Sequence, residues 1–241
     1  MRIAIYAASL LPFTAALAAC SGSHGVADAK PPSTSAHHIV IVDVSASSAA
    51  LSDVLLRQAV QRRITADLKK SLQLGDRITY YEAGSRNAER MVATLDIKTG
   101  YSQRVPAALT KLSKAMGGSA TKFESTGGDG GTNLLLAMET IQPSCAARST
   151  VTVSTDGIEE SDAYSTSAAL NAGKPVTLPS PPTAYLSGCH VRLVGLGLTG
   201  GLSGQNQVLP AAQLAALRKG WTAYLQAAGV APDAIEFVSA L

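Results

Sequence analysis

The sequence predicts an α/β fold: a doubly wound, Rossmann-like, mostly parallel sheet flanked by helices. Two strand-like runs and the spacing between them carry that expectation. Ile39-Val40-Ile41-Val42 is apolar and β-branched without alternation, as a strand covered on both faces would be. Thr150-Val151-Thr152-Val153-Ser154 reads as another buried strand, and both runs end at an acid, Asp43 and Asp156. Stretches of helical periodicity separate the strand-like runs, which is the βαβ pattern of a parallel sheet. At 241 residues, 46% apolar and 15% charged, the chain suits one domain of ordinary size behind an amino-terminal leader.

The leader is Met1-Arg2 followed by an apolar run from Ile3 to Ala19. The run is short for a spanning helix and Pro12 interrupts it, so residues 1–19 read as a signal peptide. Its end, Leu17-Ala18-Ala19-Cys20, resembles the bacterial lipobox, which implies that Cys20 is lipidated and becomes the mature amino terminus. The alternative is ordinary cleavage near Ala18 or Ala19. Ser21 in the next position is similar to lipoproteins sorted to the outer membrane, so the expected location is the cell envelope, lipid-anchored, facing the periplasm or the surface. Residues 20–36 are rich in Ser, Gly, Ala and Pro and read as a flexible tether with a reach of about 20 Å. His24, His37 and His38 fall in it or at its end, with no Cys or acidic ligand at metal-site spacing. The domain proper is expected over 37–241. The formal charge of +3 falls to +2 without Arg2, which gives no electrostatic case for nucleic acid.

Within the domain, the first strand ends at Asp43-x-Ser45-x-Ser47. A helix is expected from about Ala50 to Leu72, with Leu51, Leu55, Val60, Ile64, Leu68 and Leu72 on one stripe. Gly75-Asp76 stops it, and Arg77 to Glu82 is the second strand. The short connection to a third strand, Arg90 to Ile97, allows only an antiparallel hairpin at the sheet edge. A helix over Val105 to Met116 leads to a loop, Gly117 to Gly131, that contains Asp129. Thr132 then precedes a helix from Leu134 to Ile141. The strand from Thr150 runs into Asp156-Gly157, and a helix is expected near Ser161 to Leu170. A strand over Cys189 to Leu198, a mobile-looking loop over Gly200 to Gln207, a helix opened by Pro210 and a strand over Ile235 to Val238 complete the chain.

The chemistry lies at the strand ends. A buried carboxylate is costly unless a cation or hydrogen-bond donors meet it, and open α/β sheets place ligands at the carboxyl ends of their strands. Asp43, Ser45 and Ser47 therefore read as part of a divalent-cation site, although Asp and Ser after a strand also make turns and cap helices. Catalysis is not expected. Apart from the tether histidines the chain has only His190, at the opposite end of the sheet from Ser45, Ser47 and Asp156. Ser203 lacks the spacing of a nucleophile elbow. The Gly-rich loop before Thr132 lacks the Gly-Lys-Ser/Thr of a phosphate loop.

In order, Asp43-x-Ser45-x-Ser47, Thr132 after a Gly pair, and Asp156-Gly157 resemble the von Willebrand factor type A domain with its metal-ion-dependent adhesion site. Leu74-Gly75-Asp76-Arg77-Ile78 is similar to that family's run into its second strand, and Val191 to Gly197 to its fifth. The likeness covers about 39–241; Ala46 stands where the family commonly has Gly. The resemblance implies strand order 3-2-1-4-5-6 and Mg²⁺ (or Mn²⁺ or Ca²⁺) held directly by Ser45 and Ser47. Thr132 would bind it in some states, and Asp43 and Asp156 mainly through waters. It implies a protein partner presenting Asp or Glu, with no small-molecule substrate. Glu159 and Glu160 are expected on the solvated start of the next helix; facing the metal, they would disfavour an acidic ligand. The rival reading is a metal-independent scaffold in an envelope, secretion or conjugation assembly. In the implied strand order Cys145 and Cys189 belong to neighbouring strands, so a disulfide is expected, with two free thiols as the alternative.

Overall fold

The computed structural model describes residues 35–84, 90–97, 104–143, 145–146, 148–162, 164–200 and 206–239. The leader, Cys20 and almost all of the tether lie outside the described residues. The elements in order are β1 (His37–Asp43), α1 (Ala49–Ser52), α2 (Val54–Ser71), β2 (Arg77–Ala83), β3 (Arg90–Asp96), α3 (Arg104–Thr126), α4 (Leu134–Ile141) and β4 (Thr150–Ser154). They continue as β5 (Glu160–Ser161), β6 (Tyr164–Ser165), α5 (Thr166–Asn171), β7 (His190–Val194), β8 (Leu198–Gly200), β9 (Asn206–Val208), α6 (Ala211–Ala227) and β10 (Ile235–Val238). Six strands form one sheet in the order β10-β7-β4-β1-β2-β3, parallel except for β3 at the edge. The expected doubly wound fold, with one antiparallel edge strand, is the observed one. No described helix is long and apolar enough to cross a membrane.

Strand alternation divides the core. Ile39, Ile41, Val151, Val153, Val191 and Leu193 face one way, against α4 and α6, with Leu134, Met138, Leu217 and Trp221 among the buried partners. Val40, Val42, Ile78 and Tyr80 face the other way, against α1, α2 and α3. Both layers remove β1 from water, which is why its sequence is a continuous apolar run.

The helices depart from expectation in three places. The first is broken: Asp53 leaves the helical conformation (φ −105°) and its side chain accepts from the Leu56 N–H at 2.9 Å, capping a new helix. The break resets the phase, so Leu56 is buried and Leu55, placed on the buried stripe by the sequence, is 76% exposed. Second, α3 does not stop at Met116 but runs 23 residues to Thr126, through Gly117-Gly118. Its later turns bury Ala120, Phe123 and Ser119, whose hydroxyl is 2.6 Å from the Tyr80 hydroxyl. Third, Glu160 to Ser165 is a small hairpin, and α5 starts only at Thr166.

The loop expected over Gly200 to Gln207 is the end of a second hairpin, β8 with β9, of which 201–205 lie outside the described residues. A disulfide joins Cys145, just ahead of β4, to Cys189, just ahead of β7, with 5.0 Å between Cα atoms.

Candidate metal centre

All five expected site residues lie at the carboxyl edge of the sheet. β1 delivers Asp43, fully buried, at its last position, and the chain turns at once: the Asp43 Oδ1 accepts from the Ser45 N–H at 2.9 Å. That turn is clamped to the loop after α3. The Ala46 N–H donates to the Asp129 carbonyl at 2.8 Å, and the Asp129 N–H to the Val44 carbonyl at 3.0 Å. Gly128 makes the approach possible. Its φ is +78°, and a Cβ there would stand 3.0 Å from the Ala46 nitrogen. The clamp brings Ser45 and Ser47, with hydroxyls 3.2 Å apart, to the same cavity as Thr132. The cavity measures about 230 Å³.

The loop after β4 supplies the other wall, through Ile158 and Glu160. Thr155 and Asp156 follow the last residue of β4, and Gly157 turns the chain with φ +80° where a Cβ would strike Leu196. The Asp156 Oδ1 accepts from the Ile158 N–H at 2.8 Å, while its Oδ2 is buried with no hydrogen-bond partner. Ser47 lies near enough to Asp156 to favour its ionised form. The loop then pairs with Thr132 through two main-chain bonds, Thr132 N–H to the Glu160 carbonyl (2.9 Å) and Glu160 N–H to the Thr132 carbonyl (3.1 Å). Thr132 is thereby fixed from both sides, by α4 and by this loop.

Burial dominates the electrostatics. It raises the Asp43 carboxyl above its usual range, against hydrogen bonds from Ser45 and Thr155 that favour the anion. It raises Asp156 further, and the Asp43 charge adds to that. Burial pushes the Glu159 carboxyl up to about 7.

Two structural contributions were missed in the sequence. Thr155 donates to the Asp43 Oδ2 at 2.8 Å and accepts from the Gly157 N–H at 2.8 Å, so it orients one acid and shapes the turn after the other. Its position beside Asp156 was the only available signal. Asp129 lines the cavity, a position that a loop residue acquires only through the clamp to Val44 and Ala46.

The expectation that Glu159 and Glu160 sit on a solvated helix start is overturned. Glu159 is 1% exposed, and its Oε2 accepts from the Leu134 and Leu135 N–H groups (3.0 and 3.4 Å) at the start of α4. Glu160 lines the cavity, and its Oε1 accepts from the Ser167 N–H at 2.8 Å. The cause is the hairpin after Asp156, which turns both acids inward.

The donor set fits a hard cation. Hydroxyls of Ser45, Ser47 and Thr132 border the cavity, the carboxylates of Asp43 and Asp156 lie buried beside it, and one acid oxygen lacks any donor. No group of three or more His, Cys, Asp or Glu gathers at metal-binding distance among the described residues, so direct ligation would fall largely to hydroxyls and water.

The fold can be set beside solved structures. BatB from Bacteroides thetaiotaomicron is 15% identical over 85% of this chain and 89% of that one, with a TM-score of 0.44. An aerotolerance-related membrane protein from Bacteroides fragilis gives 15%, 84%, 90% and 0.44. The pilus adhesin SpaC from Lactobacillus rhamnosus gives 13% and 0.45, over 85% of this chain but 28% of that one. Likeness at this level carries no conclusion about function. No protein-family model matches the chain, and no curated protein matches it.

Proposed function

We propose that this protein is a lipid-anchored envelope binding module of the von Willebrand factor A type, whose divalent cation captures a carboxylate of a protein partner. One observation supports it above the others: the hydroxyls of Ser45, Ser47 and Thr132 border one cavity beside Asp43 and the donorless Oδ2 of Asp156. Ser45, Ser47 and Thr132 would hold Mg²⁺, with Asp43 and Asp156 acting mainly through water, as the resemblance implies. When bound, the ion offers an electrophilic position that an Asp or Glu oxygen can fill. Polarity of the domain suits this role. The described chain enters at Ser35-Ala36, beside the start of β1, and Asp43 closes the same strand about 20 Å away. The edge at which residue 35 enters is therefore the one opposite the site.

A metal-independent scaffold is the second reading, and the rim favours it. Among the described residues Asp129 and Glu160 line the cavity and no basic side chain does, so an approaching carboxylate meets like charge.

Calorimetric titration with MgCl₂ and pull-down from membranes, with and without chelator, separate the two readings. The binding-module reading expects chelator-sensitive capture that Asp43→Ala abolishes. Capture that survives both chelator and Asp43→Ala supports the scaffold.

A further inference from the structure

Three carboxylates lie buried beside the site: Asp43 (0% exposed), Asp156 (2%) and Glu159 (1%). Among the described residues no Lys, Arg or His forms an ion pair with any of them. None lines the cavity. Both Asp43 oxygens have hydrogen-bond donors, from the Ser45 N–H and the Thr155 hydroxyl. The other two acids are each half-satisfied in the same way. One oxygen of Asp156 is held by a backbone N–H and one oxygen of Glu159 by the first N–H groups of α4, while Asp156 Oδ2 and Glu159 Oε1 make no close hydrogen bond among the described residues, the Ser47 and Ser161 hydroxyls being the donors near the two carboxyls. A buried acceptor without a donor is expensive, and two of them three residues apart in one loop call for a shared source of donors. The loop that carries them is bonded directly to Thr132 at Glu160, and the Asp43 charge acts on Glu159 as it does on Asp156.

We propose that Glu159 is a further cation-holding residue of this site, its Oε1 accepting a hydrogen bond from water bound to the divalent ion while its Oε2 caps α4. This rests on the cation reading above and adds to it. Mg²⁺ retains several waters, and a carboxylate placed to accept from one of them tightens the ion without taking up a coordination position. The added buried charge also retains the ion without a partner's carboxylate. Capping alone would use one oxygen and leave the other buried with only the nearby Ser161 hydroxyl to offer it a donor.

The test uses the purified protein at pH 8, on the alkaline side of the raised Glu159 carboxyl, with Mg²⁺ affinity from calorimetry and melting in EDTA as separate readouts. Glu159→Gln keeps an amide oxygen for the Leu134 and Leu135 N–H groups. It is expected to melt in EDTA at or above the wild-type temperature and to bind Mg²⁺ at least about tenfold more weakly. Glu159→Asp keeps the charge but shortens the reach to the cap. It is expected to melt lower yet retain more Mg²⁺ affinity than Glu159→Gln. Equal Mg²⁺ affinity in wild type and Glu159→Gln, or the reverse order of the two variants, leaves Glu159 as a helix cap only and overturns the inference, with the cation site intact. Wild type that binds neither Mg²⁺, Mn²⁺ nor Ca²⁺ overturns the cation reading and this inference together.

Discussion

At the scale of single residues, the buried acids of this domain are held by neighbours of small size. Thr155 is the clearest case, because one hydroxyl serves both Asp43 and the turn at Gly157. Thr155→Val keeps the shape and deletes both bonds, leaving one Asp43 oxygen without a donor in a buried site. The expected cost is about 1–3 kcal/mol in urea denaturation, together with weaker Mg²⁺ binding. His38 gives the pH response at the other edge of the sheet. It is fully buried, 2.9 Å from the Thr150 hydroxyl and 3.4 Å from Asp76. Burial pushes its pKa below 6.5, and Asp76 only partly opposes that. As pH falls through 6.5 the unfolded chain takes up a proton at His38 that the folded chain resists, so the His38 contribution to stability falls from there downward, while the raised Glu159 carboxyl works in the opposite direction. His38→Gln should flatten that fall in a series of denaturation curves from pH 7.5 to 5.

At the scale of elements, caps and turn residues outweigh local propensity. Gly117 and Gly118 suggested a loop, yet α3 passes through them because Ser119, Ala120 and Phe123 beyond have a place in the core. A Cβ at either glycine would meet nothing within 4 Å. Replacing each with Ala should therefore stabilise the protein by about 0.5–1 kcal/mol, read as a higher urea midpoint; a loss would mean that α3 is not helical there. Asp53→Ala tests the opposite kind of position. It removes the cap that starts α2 and should cost about 1 kcal/mol.

At the scale of the whole molecule, the Cys145–Cys189 bridge ties β4 to β7 at the amino edge, across a sequence separation of 44. On the chain-entropy model a loop of this size stabilises by about 4 kcal/mol, and the double Cys→Ser variant should lose that much. Thiol titration of unreduced, denatured protein should find neither cysteine reactive; two titrating thiols would refute the bridge. The proposed cation site sits at the far edge, so bridge removal should leave Mg²⁺ affinity unchanged in whatever fraction remains folded.

The sequence by itself determined the six strands of the main sheet and the edges they serve, while their order came from the resemblance. Continuous β-branched runs such as Ile39 to Val42 fit only a strand covered on both sides, and an acid at the end of such a run marks the carboxyl edge. Asp43 and Asp156 could be placed at that edge for this reason, with Ser45 and Ser47 close behind the first; Thr132 joined them through the resemblance. Only the tertiary structure decided which way the residues after those ends turn. Glu159 and Glu160 have the composition of an exposed helix start, and nothing local distinguishes that from the hairpin that carries them inward. The choice is made by pairing with Thr132, 28 residues earlier in the chain, and by the unfilled N-terminus of α4. Long-range hydrogen bonds of this kind leave no periodicity in the sequence, so these two acids were the part that sequence reading placed in solvent.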